Sequence, residues 1–204
     1  MDTLCSTAAG LDGIPSWFLR VAAPIFCSPI TQLFNLSLST STVPRQWKQA
    51  RIRPVSKVTA PTQHSDFRPI SITLVLTRAF ERMIVHDLIY PALQNPTTSL
   101  VFHDQFAFRP SGSTTAAILT LLHKVTHLLL TNPYVIIIAI DFSKAFNTIR
   151  HHTLLDKIAQ LDLPDHIHNW LVIFFSGHSH QTKYENAMSA FKSISASIIQ
   201  GSAM

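Results

Sequence analysis

Apolar side chains in the first half of the sequence recur with the 3.6-residue period of helices. Over residues 16–38 this period is interrupted by two prolines, which predicts two or three short helices. The period returns over residues 76–90, where Phe80 and Ile84 fall on one face and predict an amphipathic helix. Ser113 is a good N-cap for a further, strongly apolar helix that is predicted to end near residue 130.

The pattern changes at residues 135–140, where an unbroken run of mostly β-branched apolar residues stops at one carboxylate, Asp141. A run of this kind without polar alternation predicts a strand that is buried on both faces. Many α/β proteins present a catalytic acid at the carboxyl end of such a strand. Taken alone, an apolar strand that ends in Asp occurs in many α/β domains, and in most of them the Asp has no catalytic role.

Beyond Asp141 the chain is predicted to form two helices and then two strands. Residues 154–161 and 164–176 have helical spacing, whereas residues 178–184 and 192–199 alternate as strands do. This mixture of helices and strands places the chain in the α/β (α+β) class.

The composition is that of a globular chain with an excess of basic residues. Of its 204 residues 47% are hydrophobic and 13% are charged, with a net charge of +5 and a pI near 9.5. This balance permits a polyanionic partner. The densest group of cations, between residues 43 and 58, predicts either a solvated face or a surface that follows a phosphate backbone. Its members are Arg45, Lys48, Arg51, Arg53 and Lys57.

Cysteine content and hydropathy both point to the cell interior. Cys5 and Cys27 form neither a disulfide framework nor a zinc spacing, which predicts a reducing compartment. We expect no signal peptide, because no basic region leads into an apolar run at the N-terminus. No uninterrupted apolar stretch approaches the length of a membrane span. The sequence therefore predicts an intracellular protein of the cytoplasm or nucleus with no membrane partner.

Six sequence blocks follow one another in an order that resembles the reverse transcriptases of non-LTR retrotransposons. The resemblance extends over essentially the whole chain. The blocks are AGLDGIP at 9–15, VPRQWKQARIRPVSK at 43–57, DFRPISIT at 66–73, QFAFRPSGSTTAAI at 105–118, AIDFSKAFNTIRHHTLL at 139–155 and SIIQGS at 197–202.

The resemblance implies a partial right-hand polymerase fold, with fingers, an incomplete palm and no thumb. Residues 1–58 would form a helical and basic extension that leads into the fingers. Residues 59–133 would be the fingers, and residues 134–204 would be part of the palm.

The resemblance also assigns a metal site. Asp141 matches the catalytic ligand of Mg²⁺, and the backbone carbonyl of Phe142 is expected to be its companion. Mg²⁺ takes carboxylate and phosphate oxygens, and two such ions stabilise the attacking 3′-oxygen and the leaving pyrophosphate. Phe146 matches the aromatic that stacks beneath the incoming sugar and excludes a 2′-hydroxyl, although without the resemblance it would be assigned to the core.

Further residues are expected to bind nucleotide or nucleic acid. Arg68 matches a position that touches the incoming triphosphate, for which a guanidinium fork is well suited. Gln200 and Gly201 match a motif in which glycine lets the backbone approach the nucleotide closely. The implied partners are an RNA template, a DNA primer and deoxynucleoside triphosphates. The residues expected to bind nucleic acid are Arg51, Arg53, Lys57, Arg109, Gly112 and Ser113.

One block of the family is missing from this sequence. A hairpin bearing Ala-Asp-Asp completes the metal site in the family, and the sequence ends at Met204 before it. One carboxylate cannot organise two Mg²⁺ ions, so we predict that this chain alone does not polymerise. Three functions stay open at this point: part of an RNA-directed DNA polymerase, a non-enzymatic nucleic-acid-binding remnant, and a poorly stable product without function.

Overall fold

A computed structural model describes residues 8–94, 104–108, 112–142 and 148–194. The chain divides into two compact units, a larger one of residues 1–98 with 144–204 and a smaller one of residues 99–143. The described helices are α1 (Ser16–Val21), α2 (Ala23–Ser39), α3 (Val75–Ile84), α4 (Tyr90–Gln94), α5 (Thr114–Leu129), α6 (His151–Ile158) and α7 (Asp165–Phe175). The described strands are β1 (Gln49–Ser56), β2 (Phe67–Ile72), β3 (His178–Tyr184), β4 (Ala187–Met188) and β5 (Lys192–Ile194).

The predicted mixture of helices and strands is confirmed, and most helices lie where the apolar period placed them. The first apolar stretch forms two helices, α1 and α2, and Pro29 lies inside α2 instead of ending it. A π-helical turn, Val85–Ile89, joins α3 to α4. Gly177 has a φ of +70° directly after α7, which is the left-handed conformation that commonly ends a helix.

The strands of the larger unit form one sheet in the order β2-β1-β3-β4, with β5 also paired to β3. The β1–β2 pair is antiparallel and the β1–β3 pair is parallel. The basic run of residues 43–58 therefore supplies a central strand, which the sequence reasoning had not assigned. Residues more than 120 positions apart meet in the β1–β3 pair, for example Arg51 and Gln181.

The core of the larger unit contains a group of aromatic rings in stacked and edge-on contact. Phe80 of α3 lies with its ring centroid 4.1 Å from that of Phe34 and 5.3 Å from those of Trp47 and Trp170. Trp170 is stacked on Phe174 at 4.9 Å, and its indole N–H donates to Ser37 Oγ at 2.9 Å. These rings join α2, α3 and α7 to the segment that precedes β1.

The smaller unit contains α5 and an extended segment that leads to Asp141. Ser113 Oγ accepts a hydrogen bond from Ala116 N at 3.0 Å, so the predicted N-cap of α5 is confirmed. Asn132 Nδ2 donates to Leu128 O at 2.9 Å and satisfies a carbonyl at the other end of the helix. No residue of α5 is buried.

The predicted buried strand at residues 135–140 is wrong for the described structure. The segment has no strand pairing, and Ile136, Ile138 and Ile140 are 76–81% exposed. β-Branched side chains favour a strand, but a strand forms only where a neighbour accepts its backbone hydrogen bonds. The five described strands pair with one another and offer this segment none. None of the helices in the described ranges has the length and apolar character needed to cross a membrane.

Candidate nucleic-acid interface

The central strand β1 has one inward and one outward face. Ala50 is buried, whereas Arg53 and Val55 are exposed. Because side chains alternate along a strand, Arg51, Arg53 and Val55 share the outward face. Arg51 and Arg53 alternate in the sequence with Ala50, Ile52 and Pro54. The arginines therefore lie on one face of the strand, and the other three residues lie on the opposite face.

Strand pairing brings cations of two further strands to the same outward face. On β2, Arg68 lies opposite Val55 and Ile70 lies opposite Arg53. On β3, Gln181 lies beside Arg51, and the same register continued by one residue sets Lys183 beside Arg53. We name the face formed by Arg51, Arg53, Arg68 and Lys183 the basic sheet face.

The basic sheet face carries positive charge without compensating carboxylates. None of the five described strands contains Asp or Glu. No ion pair joins any of its four cations to a carboxylate within the described ranges. Arg53, Arg68 and Lys183 are exposed, whereas Arg51 is half-buried and its Nε finds no acceptor among the described residues. Such a surface attracts phosphate groups.

The loop that joins β1 to β2 is held by Asp66. Its Oδ2 accepts hydrogen bonds from the backbone N–H groups of Gln63 and Thr62, at 3.0 and 2.9 Å. These two bonds, of which the one from Gln63 is the stronger cause, hold the pKa of Asp66 below its usual range. Lys57 closes the same loop, because its Nζ donates to Ser65 O at 2.7 Å. The ammonium group of Lys57 is therefore held against the loop by a hydrogen bond.

The predicted metal ligands Asp141 and Phe142 lie at the end of the extended segment of the smaller unit, and both are exposed. A carboxylate and an adjacent carbonyl are oxygen donors of the kind that Mg²⁺ takes. Among the residues that the structure describes, no three His, Cys, Asp or Glu side chains are grouped so as to hold a metal ion. The described residues therefore do not by themselves fit a two-metal centre, which needs several carboxylates.

The other predicted site residues divide into two groups. Gly112 and Ser113 precede α5, where Ser113 acts as the helix cap. The remaining four lie outside the described residues; they are Arg109, Phe146, Gln200 and Gly201.

Lys183 is not among the residues that the sequence predicts to bind nucleic acid. Alternation within residues 178–184 separates His178, His180 and Thr182 from the positions of Lys183 and Gln181. That signal was present in the sequence, but it does not say which strand is the neighbour of β3. The β1–β3 pair ends at Ile52 and Thr182, and its register continued by one residue sets Lys183 on the basic sheet face.

Comparison with known proteins identifies relatives. The family described as "Reverse transcriptase (RNA-dependent DNA polymerase)" matches residues 55–201. The chain is 24% identical over 196 residues to the probable RNA-directed DNA polymerase from transposon BS of Drosophila melanogaster, covering 96% of this chain and 21% of that protein. It is 27% identical over 180 residues to the probable RNA-directed DNA polymerase from transposon X-element of the same organism, covering 86% and 19%. It is 25% identical over 202 residues to the RNA-directed DNA polymerase from mobile element jockey, again from Drosophila melanogaster, covering 97% and 21%. The chain thus spans about a fifth of the length of these relatives.

Proposed function

Because the chain belongs to the reverse transcriptase (RNA-dependent DNA polymerase) family, we propose that its basic sheet face binds phosphate groups during RNA-directed DNA synthesis. The prediction of a reverse transcriptase of the non-LTR retrotransposon type is confirmed by the family match and by the relatives. Enzymes of this family use an RNA template, nucleotides and a divalent metal. The residues that bind each of these in this chain are proposals.

The observation that carries the proposal is the collection of cations from separate strands on one outward face. Arg53 and Arg68 reach this face from β1 and β2, in a pair of strands that contains no acid. A guanidinium fork binds phosphate oxygens with two parallel hydrogen bonds. Arg68 is proposed to meet the triphosphate of the incoming nucleotide, and Arg51 and Arg53 the backbone of a strand. Lys57 is proposed to add charge at the loop end.

A second part of the proposal concerns the smaller unit. Asp141 is proposed as one carboxylate ligand of a Mg²⁺ centre, with the Phe142 carbonyl beside it. Among the described residues, no three His, Cys, Asp or Glu side chains are grouped as ligands of such a centre, so no catalytic step is assigned to it. Arg109, Gly112 and Ser113 are proposed to lie against the template, and Phe146, Gln200 and Gly201 against the nucleotide. The compartment, cytoplasm or nucleus, stays a prediction from the sequence.

The test is a salt-dependent binding measurement with the full chain. We expect the double variant Arg53→Ala/Arg68→Ala to bind a fluorescent single-stranded RNA about tenfold more weakly at about 0.1 M salt. The slope of log K against log salt should fall by about 0.7 for each phosphate that the variant no longer neutralises. Fluorescence anisotropy over a salt series measures both quantities.

The matched control is Arg20→Ala/Arg82→Ala. This double variant removes the same charge from exposed positions on α1 and α3, and it should leave the slope close to that of the unchanged chain. Equal losses in the two double variants would mean that binding follows net charge and that the basic sheet face is not the site.

A further inference from the structure

One row of side chains crosses the larger unit's sheet at right angles to its strands. Ile70 lies opposite Arg53 in the β1–β2 pair, and Lys183 lies opposite Met188 in the β3–β4 pair. The parallel register of β1 and β3 ends at Ile52 and Thr182. Because side chains at equal register positions share a face of the sheet, its continuation by one residue sets Lys183 on the same face as Arg53. The row therefore reads Ile70, Arg53, Lys183, Met188 across four strands.

All four side chains of the row are open to solvent. Ile70 and Met188 rank among the exposed large hydrophobic residues, and Arg53 and Lys183 are exposed. Two cations thus lie at the centre of the row, with an apolar side chain at each end. Gln181 flanks the row from β3, where its Nε2 donates to Ser189 O at 3.3 Å.

The shape and charge of the row point to one class of ligand. Three strand-to-strand steps span about 14 Å, which is about four nucleotides of a stacked single strand. Proteins that bind single strands combine cations for the backbone with apolar or aromatic surfaces for the bases. A protein partner would need acidic groups to match two adjacent cations and would bury the two apolar ends in a larger interface.

We propose that single-stranded nucleic acid crosses the sheet along this row, with Lys183 as a phosphate ligand and Met188 as an apolar contact for a base or sugar. This inference rests on the proposed function and extends it from β1 and β2 to β3 and β4. It places a contact on a hairpin that lies in none of the six sequence blocks.

The test compares two lysines of the same sheet. Lys183→Ala should weaken binding of the full chain to an oligonucleotide of about 12 nucleotides by about three- to fivefold, and lower the salt slope by about 0.7. Lys192 is also exposed, but its partner in the register is His180, which places it on the opposite face. Lys192→Ala should therefore leave both quantities unchanged. Lys183→Arg should retain them.

Met188→Ala gives an independent readout. Because Met188 carries no charge, this variant should weaken binding by about twofold while leaving the salt slope unchanged. If Arg53→Ala/Arg68→Ala weakens binding and Lys183→Ala does not, the proposed path of the single strand across β3 is contradicted, whereas the proposed function stands. If neither weakens it, both fail. Circular dichroism of each variant separates loss of binding from loss of fold, and Lys183→Gln replaces Lys183→Ala if the alanine variant does not fold.

Discussion

Replacing Trp170 with alanine should lower the free energy of unfolding by about 3–5 kcal/mol, the usual cost of removing a large aromatic from a core. Trp170 is 0% exposed and lies between Phe80 and Phe174, so the cavity is lined by rings that cannot close over it. The variant also deprives Ser37 Oγ of its buried donor. Since domains have total stabilities of about 5–15 kcal/mol, we expect a largely unfolded or protease-sensitive product. Urea denaturation followed by circular dichroism measures the loss.

Trp17 provides the matched control within the same chain. It is 59% exposed, so Trp17→Ala should change the free energy of unfolding by about 0.5 kcal/mol or less. Comparable losses in the two variants would contradict the assignment of Trp170 to a packed core. They would instead favour the poorly stable product that was one of the alternatives from the sequence.

Lowering the pH should destabilise the larger unit through His178. Its ring is 2% exposed, and neither nitrogen has a hydrogen-bond partner of ordinary geometry among the described residues. The pKa of His178 is lowered to about 4, chiefly by burial, and repulsion from His151 and Lys48 contributes in the same direction. The Phe174 carbonyl favours the charged form and offsets only part of this. An unfolded chain restores the ordinary pKa of 6.5.

The sign of the effect follows from the lowered pKa. Folding favours the neutral His178 ring. Its contribution to the free energy of unfolding is therefore fully present above pH 6.5 and is lost as the pH falls towards about 4. A shift of this size corresponds to about 3 kcal/mol. We expect the free energy of unfolding to fall by about 2–3 kcal/mol over this interval. Thermal or urea unfolding at several pH values measures the slope.

His178→Phe separates this ring from the other acidic transitions of the chain. Phenylalanine keeps the edge-on packing against Phe174, whose ring lies 5.0 Å away, and removes two buried nitrogens that lack hydrogen-bond partners of ordinary geometry among the described residues. Such a change can be neutral or stabilising at neutral pH, and it should flatten the slope between pH 6.5 and 4. His166→Phe, at an exposed position, should keep the slope. An unchanged slope in His178→Phe would show that His178 does not titrate as its burial requires.

Local signals in the sequence were sufficient for most helices and their ends. Phe80 and Ile84 fall on the buried face of α3 as the period required. Ser113 caps α5, and Gly177 takes the left-handed conformation after α7. These features depend on neighbours within a few residues, which is why a single sequence carries them. The order of the blocks identified the family, because this order can be read from the sequence without any knowledge of the fold.

Local signals in the sequence also identified individual cations, but they did not show how these cations are arranged in space. The basic run between residues 43 and 58 predicts either a solvated face or a phosphate-binding surface, but the sequence does not show that Arg51 and Arg53 lie on a central strand. The sequence also did not show that Arg68 lies on the same face of the sheet, and it did not indicate Lys183 as a member of that face. The β1–β3 pair that joins these positions spans most of the chain. Strand neighbours of this kind are chosen by global packing.

The sequence by itself determined the family, the mixed class and most of the helices of this protein. Only the tertiary structure decided which strands pair, which face is basic, and that residues 135–140 lack a neighbour in the described structure. The tertiary structure also decides the close approach at Gly10, where a Cβ would lie 2.7 Å from the Cα of Leu74. The physical reason is common to all of them. Helical hydrogen bonds join residues four positions apart. Sheet hydrogen bonds and core contacts join distant parts of the chain, and no local sequence pattern indicates which parts these are.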